Sequence, residues 1–151
     1  MIRYLNQGCD CQYPALPVNE IYTDMLALHN PVCQAISAGA DIPLGETTAA
    51  VGMGIAHTAQ TMLQFVRGGT YLITVTGVAC NPDNTDVALA ASLDGTATGD
   101  QLTFTKAAGT TVPFTLQFTV TAAAWQTLTL TNPTAAAVSY GDLRTTVQRV
   151  V

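Results

Sequence analysis

Residues 70–80 read TYLITVTGVAC, and their alternation decides the fold. Tyr71, Ile73 and Val75 fall on one face, while Leu72, Thr74 and Thr76 fall on the other. A period of two is the mark of a half-buried strand. The same period recurs in TLQFTV, with Leu116, Phe118 and Val120 in step, and in WQTLTLTN, with Leu128 and Leu130 in step. Threonine fills the alternate positions. It is β-branched and wettable, which suits the solvated face of a sheet.

Working outward, short apolar runs return every 8–12 residues or so, separated by turn residues, as in all-β domains. QAISAGADIPLG offers two short strands. TTAAVGMGIAHTAQTMLQFVRGG offers two more about a turn at His57-Thr58. DVALAASLDG carries Val87, Leu89 and Leu93 into the turn pair Asp94-Gly95. QLTFTK, TVPFTLQFTVTA, WQTLTLTN and AVSYGDLRTTVQRVV follow. Eight or more antiparallel strands predict a sandwich, and the jelly roll is the arrangement expected over residues 34–151. Upstream, residues 1–18 hold Gly8, Pro14 and Pro17 without a sustained period and read as an extended arm. Between them, residues 19–33 form a short helix or an irregular linker. Ile21/Met25, Tyr22/Leu26 and Met25/Leu28 are spaced by four or three, Asn19 is placed to cap, and Asn30-Pro31 to stop.

The totals set limits. At 151 residues the chain makes one domain, able to bury roughly 68–70% of its unfolded surface. Charged residues are only 10% of it, against roughly 25% in an average domain. So sparse a charge suits a subunit that buries much of its exterior in an assembly. The net charge is −5 and the five basic residues, Arg3, Arg67, Lys106, Arg144 and Arg149, are scattered. Nucleic acid is therefore not an expected partner. MIRYLNQ does not lead into an apolar h-region, which predicts synthesis without a secretory signal. No run approaches the roughly 20 apolar residues of a membrane span.

GGTYLITVTG, an aromatic after Gly-Gly-Thr at the head of an alternating strand, resembles the hallmark segment of the complement/tumour-necrosis-factor-like jelly roll. AISAGADIPLG, TAQTMLQFVRGGTYLITV, ALAASLDGT and WQTLTLTNPTAAAVSYGDLRTTVQRVV, in that order, resemble the C-terminal domain of BclA-type exosporium glycoproteins and related phage-fibre domains. The resemblance covers residues 34–151. It implies a non-enzymatic, usually trimeric jelly roll on the outside of a spore or virion. The collagen stalk of BclA-type proteins is missing from this sequence. In its place stands an arm containing Cys9-Asp10-Cys11, similar in logic to the cysteine-bearing N-terminal connectors of endospore appendage (Ena) subunits, which form disulfides in neighbouring subunits.

Four cysteines, Cys9, Cys11, Cys33 and Cys80, are the candidate cross-link residues. In an extended arm, i and i+2 lie about 6.6 Å apart, near the limit for a bridge, so a Cys9–Cys11 disulfide would be strained. Two arm thiols and two body thiols suggest an arm stapled twice. A zinc site built from Cys9, Cys11, Cys33 and His29 competes, although C-x-C is a poor knuckle and leaves Cys80 over. Unpaired thiols, with Cys80 as a small core residue, are the third reading. The arrangement favours staples, with no metal and no cofactor expected. His29 and His57 have no organised Ser or Asp beside them, so no catalytic set is expected. Asp83 and Asp86 in NPDNTD lack calcium-loop spacing and fit an ordinary turn. Trp125 reads as the edge of a core before it reads as a sugar platform. VGMGIA is no phosphate loop.

The expected function is a structural, self-assembling surface subunit, a spore-surface fibre or appendage block cross-linked through its arm. Copies of itself and other spore-coat or exosporium proteins are the expected partners. The alternative is a trimeric receptor- or carbohydrate-binding jelly roll of a phage fibre or capsid, located on a virion.

Overall fold

The computed structural model describes residues 24–83 and 85–151. Eleven strands and no helix make up these residues: β1 (Met25–Asn30), β2 (Gln34–Ile36), β3 (Glu46–Val51), β4 (Ile55–Ala59), β5 (Met62–Phe65), β6 (Gly69–Ala79), β7 (Thr85–Leu93), β8 (Thr96–Lys106), β9 (Val112–Ala122), β10 (Thr127–Thr131) and β11 (Val138–Arg149). They form two antiparallel sheets. One runs β3-β1-β11-β6-β9, with β2 also on β11, and the other runs β4-β5-β10-β7-β8. The expected all-β antiparallel sandwich is what the chain forms.

The alternation in residues 70–80 does the work assigned to it. Tyr71, Ile73 and Val75 are buried, and Leu72, Thr74 and Thr76 face outward, half-buried. Leu128 and Leu130 meet them from the second sheet, beside Leu63, Phe65 and Leu89. Each such side chain contributes roughly 1.5–3 kcal/mol of burial. The turn at Asp94-Gly95 is also as expected. Both residues have positive φ, 50° and 80°, the conformation that a two-residue hairpin needs and that Asp-Gly tolerates.

Two local expectations are corrected. Residues 25–30, read as part of a helix over 19–31, are strand β1; residues 19–23 lie outside the described residues. MLALHN satisfies both periods, because Met25 and Leu28 are three apart while Leu26 and Leu28 alternate. Hydrogen bonding decides between them: β1 pairs with β11 on one side and β3 on the other, and Leu26 and Leu28 become core. The linker assigned to 19–33 thus belongs, from Met25 on, to the sandwich. The turn placed at His57-Thr58 falls instead at Gln60-Thr61, with His57 inside β4 opposite Leu63. The stretch 46–65 holds three strands rather than two, because Gly52–Gly54 makes a further bend. The arm, residues 1–18, lies outside the described residues. Among the described residues no helix is long and apolar enough to cross a membrane.

Tyr140, on the core face of β11, supplies a test of packing. Its hydroxyl donates to the Ala88 carbonyl across the sandwich, and burial pushes its phenol well above the usual tyrosine range. A raised folded-state value means that stability is intact below the unfolded tyrosine value of about 10 and falls as pH rises beyond it. Tyr140→Phe should lower stability by about 1 kcal/mol at neutral pH and flatten that alkaline loss. Urea titrations at neutral and alkaline pH would show it; an unchanged alkaline slope would contradict it.

Candidate functional site

The sandwich has two dissimilar ends. At one, β1 hands over to β2 while β6 finishes, and Cys33 comes to Cys80 across 47 residues of sequence to form a disulfide. Cys33 is exposed and Cys80 half-buried. Gly141 of β11 packs against the sulfur of Cys80, where a Cβ would lie 3.1 Å from it. The two body cysteines are therefore bonded to each other. This corrects the reading of Cys33 and Cys80 as separate receivers of the arm, and the reading of Cys80 as an unpaired core residue. It also takes Cys33 out of the zinc set while the bond lasts. The physical reason is strand register. β11 pairs with β2 at Gln34–Ile36 and with β6 at Val78–Ala79, so it draws the two flanking cysteines to the same end. Cys9 and Cys11 lie outside the described residues.

The other sequence candidates do not converge. His29 shares a hydrogen bond of 2.6 Å between Nε2 and Asp142 Oδ1. That bond is the main cause of an Asp142 carboxyl held below its usual range, with Arg144 adding to it. His57 Nδ1 lies 3.4 Å from the Thr47 hydroxyl. In the 81–86 turn, the Asp83 carbonyl accepts from Lys106 Nζ at 3.4 Å, and the Asp86 carboxylate accepts from Thr105 at 3.0 Å. Among the described residues no three His, Cys, Asp or Glu side chains gather as metal ligands would. Trp125 is no core residue. It is 64% exposed, on the β9–β10 turn with φ 74°, held by its own N–H to the Phe65 carbonyl at 2.6 Å.

Sequence reasoning missed the opposite end, which is organised around Asp24. This carboxylate is wholly buried. It accepts from the Gly54 N–H at 3.0 Å and from Arg67 Nη1 at 3.2 Å to both oxygens, and Arg149 Nη1 stands 3.8 Å away. Gly54 is glycine because of this approach: a Cβ there would collide with both carboxylate oxygens. Arg149 also donates to the Gly68 carbonyl at 2.9 Å, and Tyr71 donates to the Arg67 carbonyl at 2.5 Å. Burial raises the Tyr71 phenol, with Arg149 acting in the opposite direction. The network ties the first described residue to the β4, β6 and β11 ends. Its only sequence signal was an Asp just ahead of the β1 apolar pair, with a Gly-x-Gly and two arginines far downstream.

No protein-family model matches the chain, and no curated protein matches it. The fold does have counterparts among solved structures. An Eiger TNF from S. frugiperda matches at a TM-score of 0.73 and 10% identity over 86% of this chain and 94% of that one. Murine APRIL matches at a TM-score of 0.71 and 10% identity, over 85% of this chain and 99% of that one. The vertex protein P5 of PRD1 matches at 0.57 and 18%, over 86% and 99%. These similarities define the fold as a jelly roll of the tumour-necrosis-factor and C1q type, in agreement with the resemblance read from GGTYLITVTG.

Proposed function

We propose that this chain is a structural building block, a jelly-roll subunit that joins copies of itself through Cys9 and Cys11, as in a spore-surface fibre or appendage. The observation that carries the reading is the Cys33–Cys80 bond. It occupies both body cysteines, and a Cys9–Cys11 bridge would be strained, which favours partners for the arm thiols in other chains. Two arm thiols from neighbouring subunits join with loss of two protons and two electrons to an oxidant such as dioxygen, in an oxidising exterior. A second route needs no oxidant. The thiolate of Cys9 or Cys11 attacks the sulfur of Cys33, an exposed residue, on another copy, and Cys80 leaves as the thiolate. The arm-to-body contact is heterologous, and such contacts propagate into filaments unless rotation closes them. No enzymatic activity is part of this reading.

The test is a denaturing gel of the oxidised assembly with and without reductant, beside a Cys9→Ser/Cys11→Ser variant. A ladder of covalent multimers that collapses with reductant and is absent from the variant is the expected result. A single monomer band in every lane would sink the cross-linked building block. The match to a PRD1 vertex protein favours, as second reading, a non-covalent trimeric binding module on a virion. That reading would then take precedence.

A further inference from the structure

A groove of about 550 Å³ lies on the outer face of the second sheet, over β10, within the roughly 300–1,000 Å³ of small-molecule sites. β10 is the central strand there, with β5 on one side and β7 on the other, and its inward residues, Leu128 and Leu130, are buried core. The floor is therefore firmly backed. Thr127, Thr129 and Thr131 line it at every second residue, about 6.8 Å apart, and Ser92 of β7 stands opposite Thr129. On the other sheet outward side chains satisfy one another across strands: Thr70 shares a hydrogen bond of 3.2 Å with Thr121, and Gln117 donates to Thr74 at 3.0 Å. In the groove Thr129 and Ser92 are register partners, yet neither hydroxyl bonds to another of the described residues. Two carboxylates join them. Asp41 is bridged to Thr131 through the backbone, and its side chain has no hydrogen bond or ion pair with a described residue. Asp94 accepts from the Thr127 N–H at 2.9 Å and the Thr127 hydroxyl at 3.1 Å, and the first of these bonds holds its carboxyl below the usual range. Met62 supplies an exposed apolar contact, and no basic residue lines the groove.

The turn that leads into β10 presents Trp125, two residues ahead of Thr127. Its φ of 74° is an outlier for so bulky a residue, and backbone strain of this kind gathers at ligand sites. Both of its backbone groups are held: the N–H donates to the Phe65 carbonyl at 2.6 Å, and the carbonyl accepts from Gln64 Nε2 at 3.3 Å. The fold thus fixes an exposed indole in an unfavourable conformation at the head of a groove lined with unbonded hydroxyls. We propose that this groove binds an uncharged saccharide, with Trp125 and Met62 against its C–H faces and Thr129, Ser92, Asp41 and Asp94 bonding its hydroxyls. A sugar ring has an apolar C–H face and a polar rim, which matches an amphipathic aromatic beside polar groups. Its hydroxyls donate to carboxylates, which accept only, and exchange either role with Ser and Thr. Charge-assisted bonds to the carboxylates are the stronger ones. The same two negative charges, without a basic residue, turn away sulfated, phosphorylated and acidic sugars. The inference goes beyond assembly through the arm and does not depend on it.

Trp125 is the only tryptophan in the chain, so its fluorescence reports occupancy of the groove. Full-length protein is titrated with neutral tetrasaccharides of glucose, galactose, mannose and N-acetylglucosamine, and with a sulfated heparin tetrasaccharide, by fluorescence and by calorimetry. Expected is saturable binding of at least one neutral tetrasaccharide with a blue shift of the emission, and no binding of the sulfated one. Thr129→Val keeps the shape of threonine without its hydroxyl and should weaken binding several-fold. Trp125→Gly removes the indole where the backbone favours glycine, so the fold should melt no earlier than the parent while calorimetry shows binding weakened tenfold or more. Failure of every neutral tetrasaccharide to bind would overturn the proposal, as would preference for the sulfated one. Binding that neither substitution changes would place the sugar elsewhere and overturn it equally.

Discussion

Reduction of the Cys33–Cys80 bond should lower the unfolding free energy by about 4 kcal/mol, the value the chain-entropy relation gives for a span of 47 residues. The bond acts mainly on the unfolded chain. It closes the loop that contains β2 through β6 and denies the denatured ensemble the freedom to separate its ends. Cys33→Ser/Cys80→Ser in a Cys9→Ser/Cys11→Ser background should show the same loss without reductant, and adding reductant to that variant should change nothing further. Urea titration with the denaturant slope compared between forms is the measurement. Equal midpoints for oxidised and reduced protein would mean that the bond does not hold the fold. Because Cys33 is exposed, an arm that entered this bond by exchange would trade subunit stability for a link between subunits. Covalent assembly and thermal stability would then move in opposite directions.

Asp24→Ala should cost about 3 kcal/mol, the low end for breaking a buried ion pair, or a fall of about 6–12 °C in Tm for a chain of this size. The low end applies because Arg67 keeps half of its side chain in water, while Arg149, 16% exposed, keeps its bonds to the Gly68 and Val151 carbonyls. The Gly54 N–H loses its acceptor in the same change. Asp24→Asn retains an oxygen for that N–H and should cost less than the alanine. Differential scanning calorimetry ranks the two variants. An Asp24→Ala protein that melts with the parent would show that Arg67 and Arg149 find water or other acceptors at no expense. Loss of Asp24 also unpins the start of β1, so the surface around Met53 and Trp125 should loosen before the remainder of the sandwich.

What could be read from sequence followed physical distinctness. Residues 70–80, 116–120 and 128–130 carry a strict period of two, and the sheets are built as that period requires. Asp94-Gly95 was legible because few residue pairs accept positive φ together. MLALHN was not, since six residues with apolar groups at 25, 26 and 28 fit a helix and a strand alike. Pairing with β11, more than 110 residues away, settled it. The Asp24 cluster was illegible for a similar reason: its members, Asp24, Gly54, Arg67 and Arg149, are joined by register, and none has a local signature. Cysteine counting marked Cys33 and Cys80 as disulfide candidates but not as each other's partner, a pairing that depends on β11 lying between β2 and β6. Trp125 misled because tryptophan is usually at least partly core, while here the turn geometry turns it outward.

The central claim is that Cys9 and Cys11 join different chains, and isotope-mixed disulfide mapping tests it most directly. Equal amounts of unlabelled and nitrogen-15-labelled protein are reduced, mixed and oxidised into the assembly. They are then digested under conditions that prevent exchange and analysed by mass spectrometry. The account predicts that disulfide-linked peptides containing Cys9 or Cys11 carry mixed labels. Peptides joining Cys33 to Cys80 should carry one label only, unless exchange has opened that bond. Uniformly labelled Cys9 and Cys11 peptides, or free thiols at both positions in assembled material, would contradict it.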